Sequence, residues 1–113
     1  MTTNPTQEPL TVPYPKELRD EEDDLAIVNV EGREIVLLSV NGELRAVDRV
    51  CPHEEGDLGE GLLFGKNIKC PVHGWIFDLS TGRCLNQRGS WTTVYEVEVN
   101  GDNILLHPKG EGQ

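Results

Sequence analysis

Two short segments of this sequence carry the residue types that bind transition metals. Cys51 and His53 lie in the first segment, and Cys70 and His73 lie in the second, after sixteen intervening residues. Each Cys is followed by Pro, and the second segment is followed at once by Gly74. Thiolates and imidazoles are ligands for zinc and for iron. The two matched pairs therefore predict one metal centre held between two loops.

The order of these residues along the chain bears on the kind of metal centre. It is Cys, His, Cys, His, whereas a zinc finger usually places its two Cys in one pair and its two His in another. If both thiolates bind one iron and both imidazoles bind a second, the ligand set is that of a Rieske-type [2Fe–2S] centre. A structural zinc site that uses the same four side chains is the alternative.

The two segments resemble the cluster-binding motifs of the Rieske iron–sulfur family, including the spacing between them and the Gly after the second. The stretches 56–61 and 77–82 are also similar to those of soluble Rieske-type ferredoxins, and the likeness extends over residues 10 to 108. The resemblance implies that one [2Fe–2S] cluster per chain is bound by four residues and that none is catalytic. These residues are Cys51, His53, Cys70 and His73.

The resemblance also implies the fold, an antiparallel β-sandwich with a small cluster-binding subdomain at about residues 48–80. Alternating apolar and polar residues, with a turn signal every eight to twelve residues or so, independently favour a sandwich or small barrel. Residues 10–110 are expected to form one domain, and residues 1–9 a mobile tail. We expect strands at residues 10–14, 25–30, 34–40, 43–47, 62–64, 67–69, 75–78, 94–99 and 103–107, and no strongly signalled helix.

Composition limits the partners of this chain. Its 113 residues suit one domain, and its formal charge of −10 argues against nucleic acid and anionic membranes. Such a charge suits a carrier that docks onto basic patches of larger proteins. No apolar stretch reaches the length of a membrane span, and the first residues lack the basic and apolar regions of a signal peptide. A cytoplasmic location is therefore expected.

Several other residues invite a functional interpretation. Cys84 is expected to be a buried free thiol that acts as a small apolar residue, and the acidic run at residues 20–24 a solvated loop. Acidic residues also surround the first segment, as either an ordinary polar rim or a docking collar for a basic partner. These residues are Glu54, Glu55, Asp57 and Glu60.

The resemblance carries an expectation about redox potential. Quinol-oxidising Rieske proteins have an extra Cys in each motif and hydroxyl side chains after the second, whereas this chain has Glu55, Val72, Trp75 and Phe77 there. Fewer hydrogen-bond donors near the cluster predict a potential near the low end of the class, roughly −150 mV. The segment 85–90 corresponds to a cluster-covering loop that often contains Pro. Here it contains none, so its shape is not predicted.

The resemblance implies a one-electron carrier, not an enzyme, that passes electrons from a flavin reductase to a terminal oxygenase. The chain has no Gly-rich nucleotide-binding loop and no set of residues for a two-His-one-carboxylate iron, so both proteins would be separate partners. One alternative is a small Rieske-type subunit of a nitrite reductase-like complex, which residues 82–85 resemble. A zinc-stabilised interaction module is the other.

Overall fold

The computed structural model describes residues 9–50, 56–72 and 74–109. Apart from Pro9, the predicted tail lies outside these ranges. Within them the strands agree with the expected ones to within one or two residues. They are β1 (Leu10–Pro13), β2 (Leu25–Val30), β3 (Arg33–Val40), β4 (Glu43–Asp48), β5 (Leu62–Phe64), β6 (Asn67–Lys69), β7 (Ile76–Asp78), β8 (Val94–Asn100) and β9 (Asn103–Lys109).

The strands form two antiparallel sheets. The large sheet has the order β1-β9-β8-β4-β3-β2, and the small sheet has the order β5-β6-β7. β1 and β2, at opposite edges of the large sheet, contact one another, so this sheet is curled. The antiparallel β fold that the resemblance implies is thereby confirmed. The boundaries proposed for the domain and for its subdomain stay predictions.

Helix is confined to two short pieces in the described ranges. The helix α1 (Lys16–Arg19) joins β1 to β2 and buries Leu18, and a 3-10 helix (Leu58–Glu60) precedes β5. Neither was predicted, because four and three residues are too few to show a helical period. No helix in the described part of the chain is long and apolar enough to cross a membrane.

Strand β3 separates two apolar cores. Ile35 and Leu37 pack inside the curled large sheet, whereas Val36 and Leu38 pack against residues of the small sheet such as Phe77. All four β3 residues are at most 1% exposed. Successive side chains of a strand point to opposite faces, so a strand covered on both sides needs an unbroken apolar run. β3 therefore holds the small sheet against the large one.

The turn between β3 and β4 fixes their register. Asn41 and Gly42 have φ angles of 53° and 84°, which are the left-handed values that a two-residue type I′ hairpin requires. Val40 and Glu43 are paired on either side of this turn. An Asn-Gly pair is a strong hairpin signal, and here it joins the two strands expected at residues 34–40 and 43–47.

Replacing a residue of β3 should strongly destabilise the protein. Because Leu37 is fully buried, Leu37→Ala should lower the free energy of unfolding by about 2–5 kcal/mol. Val99 is 54% exposed, so the control Val99→Ala should change it by less than about 0.5 kcal/mol. Urea unfolding followed by circular dichroism measures both. Equal losses in the two variants would contradict the central position of β3.

Candidate metal centre

The second metal-binding segment lies in the tight connection between β6 and β7. Cys70 directly follows β6 and is fully buried, with a free thiol. Its backbone N–H donates to the carbonyl of Trp75 at 2.7 Å, which extends the pairing of Lys69 with Ile76. The hairpin therefore closes residues 70–75 into one loop. His73 lies outside the described residues.

Gly74 has a φ angle of +69°, a conformation that residues with a side chain rarely adopt. A Cβ atom at this position would also lie 3.2 Å from Lys69 Cε. The positive φ angle is what favours a glycine immediately after His73, because the exposed Lys69 side chain could shift to relieve the second contact. This is the physical reason for the Gly noted in the second segment.

A cavity of about 400 Å³ opens beside this loop. Residues from the 3-10 helix, β5, β6 and the loop itself line it: Glu60, Leu62, Lys69, Cys70, Pro71 and Gly74. A buried thiol that is not bonded to another Cys, at the wall of such a cavity, has the chemistry of a cysteinate metal ligand. Cys70 therefore fits the proposed cluster.

The ends of the first metal-binding segment are held together. Val50 and Asp57 form an antiparallel bridge, and the N–H of Leu58 donates to the carbonyl of Arg49 at 2.7 Å. These contacts stand on either side of residues 51–55, which include Cys51 and His53 and lie outside the described residues. The chain is thus closed at the base of the first loop.

An ion pair reinforces this closure. Arg49 Nε and Nη2 each lie 3.0 Å from one carboxylate oxygen of Asp57, and the N–H of Gly59 donates to Asp57 Oδ1 at 2.8 Å. Arg49 Nη1 also contacts Glu34 Oε2 at 3.2 Å. A planar guanidinium matched to a carboxylate in this way fixes geometry as well as charge. The Arg49–Asp57 pair therefore fixes the chain just before and just after residues 51–55.

The same pair changes the electrostatics of the predicted acidic collar. The hydrogen-bonded Arg49 guanidinium holds the pKa of Asp57 below its usual value. The carboxylate of Asp57 is neutralised by its partner and is not a free acidic group. Glu60 is exposed, and Glu54 and Glu55 lie outside the described residues. The docking collar stays a prediction, with one of its four members committed to an internal ion pair.

Asn86 is a residue near the site that sequence reasoning missed. Its side-chain amide donates to the carbonyl of Gly74 at 3.0 Å and accepts from the N–H of Ile76 at 3.0 Å. The Cys84 thiol donates to the same amide oxygen at 3.3 Å. Asn86 thus pairs with the chain leaving the second metal-binding loop as a neighbouring strand would. The only hint in the sequence was the lack of Pro in this segment.

The structure describes one of the four predicted ligands. Cys70 is placed as described above, whereas Cys51, His53 and His73 lie outside the described residues, so the four-residue set stays a prediction. Within residues 9–50, 56–72 and 74–109 no group of three or more His, Cys, Asp or Glu side chains forms a metal site. Cys84 is buried and free, in line with the expectation for it.

Known proteins resemble this chain over most of its length. The family model for the Rieske [2Fe-2S] domain matches residues 8–96. The ferredoxin component of a naphthalene 1,2-dioxygenase system of Pseudomonas aeruginosa is 36% identical over 86 residues, which is 75% of this chain and 83% of that protein. The ferredoxin component of naphthalene 1,2-dioxygenase/salicylate 5-hydroxylase systems of a Ralstonia species is 42% identical, with the same coverage.

Solved structures share the fold. A chain in the complex of reduced oxygenase and oxidized ferredoxin of carbazole 1,9a-dioxygenase superimposes with a TM-score of 0.71 at 28% identity, covering 95% of this chain and 97% of that chain. A nitrite reductase small subunit superimposes with a TM-score of 0.63 at 20% identity, over 74% of this chain and 84% of that one. The second likeness is one of fold alone.

The chain belongs to the Rieske [2Fe–2S] domain family, since the family model covers most of it. The predicted family is therefore confirmed, and so is the cofactor it implies, one [2Fe–2S] cluster. Family membership and the buried thiol of Cys70 beside its cavity agree with one another.

Breaking the ion pair at the base of the first loop should weaken cluster retention. Asp57→Asn keeps the shape of the side chain but removes the charge that binds Arg49. Loss of such a supporting contact should speed cluster loss roughly tenfold, measured as the decay of visible absorbance in the presence of an iron chelator. Glu96→Gln, at an exposed site on β8 of the large sheet, is the control and should decay at the wild-type rate. Equal rates in all three proteins would exclude the supporting role.

The effect of Asp57 on stability should depend on pH. Because its pKa is lowered in the folded protein, its contribution is complete above the unfolded value of about 3.9 and is lost as the pH falls through the lower folded value. The difference in urea midpoint between wild type and Asp57→Asn should therefore persist above about pH 4 and vanish on further acidification. A difference independent of pH would show that charge is not its cause.

Removing the Asn86 amide should loosen the second loop. Asn86→Ala loses both bonds to the chain around Gly74, and we expect roughly tenfold faster cluster loss in the chelator assay. Asn86→Asp keeps the acceptor for Ile76 but loses the donor, so an intermediate rate is expected. Gln87→Ala, at the exposed neighbouring position, should match wild type. Identical behaviour of Asn86→Ala and Gln87→Ala would refute this role.

Proposed function

We propose that this protein is a one-electron carrier that passes electrons from a flavin reductase to a terminal oxygenase. The observation that carries this proposal is the similarity to proteins named as ferredoxin components of dioxygenase systems, of which the alignment covers 83%. These relatives are electron-transfer components and not the catalytic ones. The expectation that this chain transfers electrons and is not itself an enzyme agrees with them.

The cluster would be held by Cys51, His53, Cys70 and His73, two residues from each loop. When bound, it supplies a site that takes up and releases one electron. The protein contributes the positions of the ligands: Arg49 and Asp57 hold the first loop at its base. The hairpin of β6 and β7 holds the second loop.

Apolar side chains limit the access of water to the second loop. Cys70 belongs to the core between the two sheets, together with Leu58 and Phe77, all fully buried. Trp75 packs against this core, and its ring centroid lies 6.4 Å from that of Phe77. Neither aromatic side chain carries a hydroxyl, so neither donates an O–H to a cluster sulfur. This supports a potential near the low end of the Rieske range, roughly −150 mV.

The partners follow from this role. The reductase and the oxygenase would be separate proteins that dock in turn, close enough to the cluster to exchange an electron. The net charge of −10 disfavours nucleic acid as a partner, and a cytoplasmic location is part of this proposal. The nitrite reductase alternative is supported by a likeness of fold alone and is not preferred.

The two described cysteines should behave differently when replaced. Cys70→Ala should abolish the optical bands and the electron paramagnetic resonance signal of the reduced cluster, because it removes a proposed ligand. Cys84→Ala, at an equally buried free thiol, should retain both. Wild type should contain about two irons per chain and have a midpoint reduction potential of roughly −150 mV. A colourless zinc protein, or a full cluster in Cys70→Ala, would contradict the proposal.

A further inference from the structure

The small sheet continues beyond β7. Phe77 and Cys84 form an antiparallel bridge, Leu85 N–H donates to Ile76 C=O at 2.7 Å, and Asp78 N–H donates to the carbonyl of Arg83 at 2.9 Å. Residues 83–85 therefore lie along the free edge of β7. Paired residues share a face of a sheet, so this extension adds residues to both faces of the small sheet.

The face turned away from the large sheet, called here the outer face, has two rows of side chains. One row adjoins the second metal-binding loop, since Lys69 immediately precedes Cys70. It consists of Leu62, Lys69, Ile76 and Leu85. The other consists of Phe64, Asn67, Asp78 and Arg83. A third row lies between these two along the strands and points to the opposite face, where it packs on the core: the partly buried Leu63 and the buried Ile68, Phe77 and Cys84.

Large apolar side chains are exposed on the outer face. Leu62 is 65% exposed, Leu85 is 51% exposed and Phe64 is 43% exposed. A single exposed apolar side chain is ordinary, but these three share one face of a small sheet beside a cofactor loop, so one partner could cover all of them. Interfaces typically combine such an apolar centre with a polar rim.

Positive charge is concentrated around this face. Residues 61–95 contain four basic residues and one acidic residue, a net charge of +3, in a chain whose formal charge is −10. Lys69 and Arg83 lie on the outer face, Lys66 lies in the turn between β5 and β6, and Arg88 lies in the segment after Leu85. The remainder of the chain therefore carries −13. The total charge of −10 does not reveal that residues 61–95 are positively charged.

These four cations also have no ion pair within the described part of the chain, and all four are exposed. By contrast, several other basic residues there contact a carboxylate: Lys16, Arg19, Arg45 and Arg49.

Two carboxylates stand on or beside the face. Asp78 Oδ1 accepts from the N–H of Ser80 at 2.7 Å, and Glu60 borders the cavity beside Lys69. Two carboxylates against four cations leave a net positive charge around this face. Among residues 9–50, 56–72 and 74–109, the carboxylates therefore do not balance the positive charge of the outer face.

We propose that the outer face docks a redox partner protein whose surface presents carboxylates around an apolar patch. This inference rests on the proposed function of electron carrier. At an ionic strength of 0.1 M charges are screened beyond about 10 Å, and four neighbouring strands span about 14 Å. A partner on this face therefore experiences the local cations more than the acidic residues elsewhere. The row containing Lys69 adjoins Cys70, so docking there brings the partner beside the cluster.

Electron transfer to two protein acceptors of opposite charge tests this proposal. The reduced protein with its cluster is mixed in a stopped-flow instrument with the acidic soluble domain of cytochrome b5 or with basic cytochrome c. For the double variant Lys69→Gln/Arg83→Gln, we expect the second-order rate constant with cytochrome b5 to fall at least about fivefold. With cytochrome c it should stay the same or rise.

Control variants separate this face from the rest of the surface. Lys16→Gln removes a cation that pairs with Asp20 and should leave the rate constant with cytochrome b5 within about twofold of wild type. Leu62→Ser should lower that rate constant, whereas Val99→Ser, at another exposed apolar site, on the large sheet, should not. Equal effects of Lys69→Gln/Arg83→Gln and Lys16→Gln would overturn the proposal.

The two acceptors also distinguish docking from an effect on the cluster. If the double variant slows both acceptors equally, the lost cations act on the potential of the cluster, and the docking proposal is wrong. If wild type reduces neither acceptor, the proposed function of electron carrier fails. If transfer to both is intact and the double variant changes neither rate constant, only the docking proposal fails.

Discussion

The burial of β3 on both faces is the constraint on which the rest of the structure depends. Ile35 and Leu37 complete the core of the curled sheet, while Val36 and Leu38 form the wall on which the small sheet packs. Apolar burial of this extent is the main stabilising contribution in a chain of 113 residues. The small sheet and the second metal-binding loop are positioned through this contact.

The two metal-binding loops are held by different means. The first is closed by a backbone bridge and by the Arg49–Asp57 ion pair. The second is closed by the hairpin of β6 and β7 and by the side chain of Asn86. In both cases the chain on either side of the proposed ligands is fixed by contacts that need no metal. Supporting contacts of this kind orient ligands before a metal binds.

The net charge of this protein and the local charge of residues 61–95 have opposite signs. The total of −10 led to the expectation of a basic partner, yet Asp57 in the predicted collar is committed to Arg49. Lys69 and Arg83, which form no ion pair with any described residue, lie on the outer face of the small sheet. Because salt screens charges over about 10 Å, the local arrangement decides which partner surface is attracted. An acidic protein can therefore present a basic face beside its cofactor.

Local patterns in the sequence were sufficient for the antiparallel strands, for the hairpin at Asn41 and Gly42, and for the metal-binding motifs with their family. Each of these depends on residues close together in the chain, where period and turn chemistry act directly. Tertiary structure alone decided the double burial of β3, the Arg49–Asp57 closure, the position of Asn86 and the placement of Lys69 and Arg83 on one face of the small sheet. Those features depend on which strands become neighbours, and strand neighbours are chosen by packing of the whole chain rather than by any local pattern.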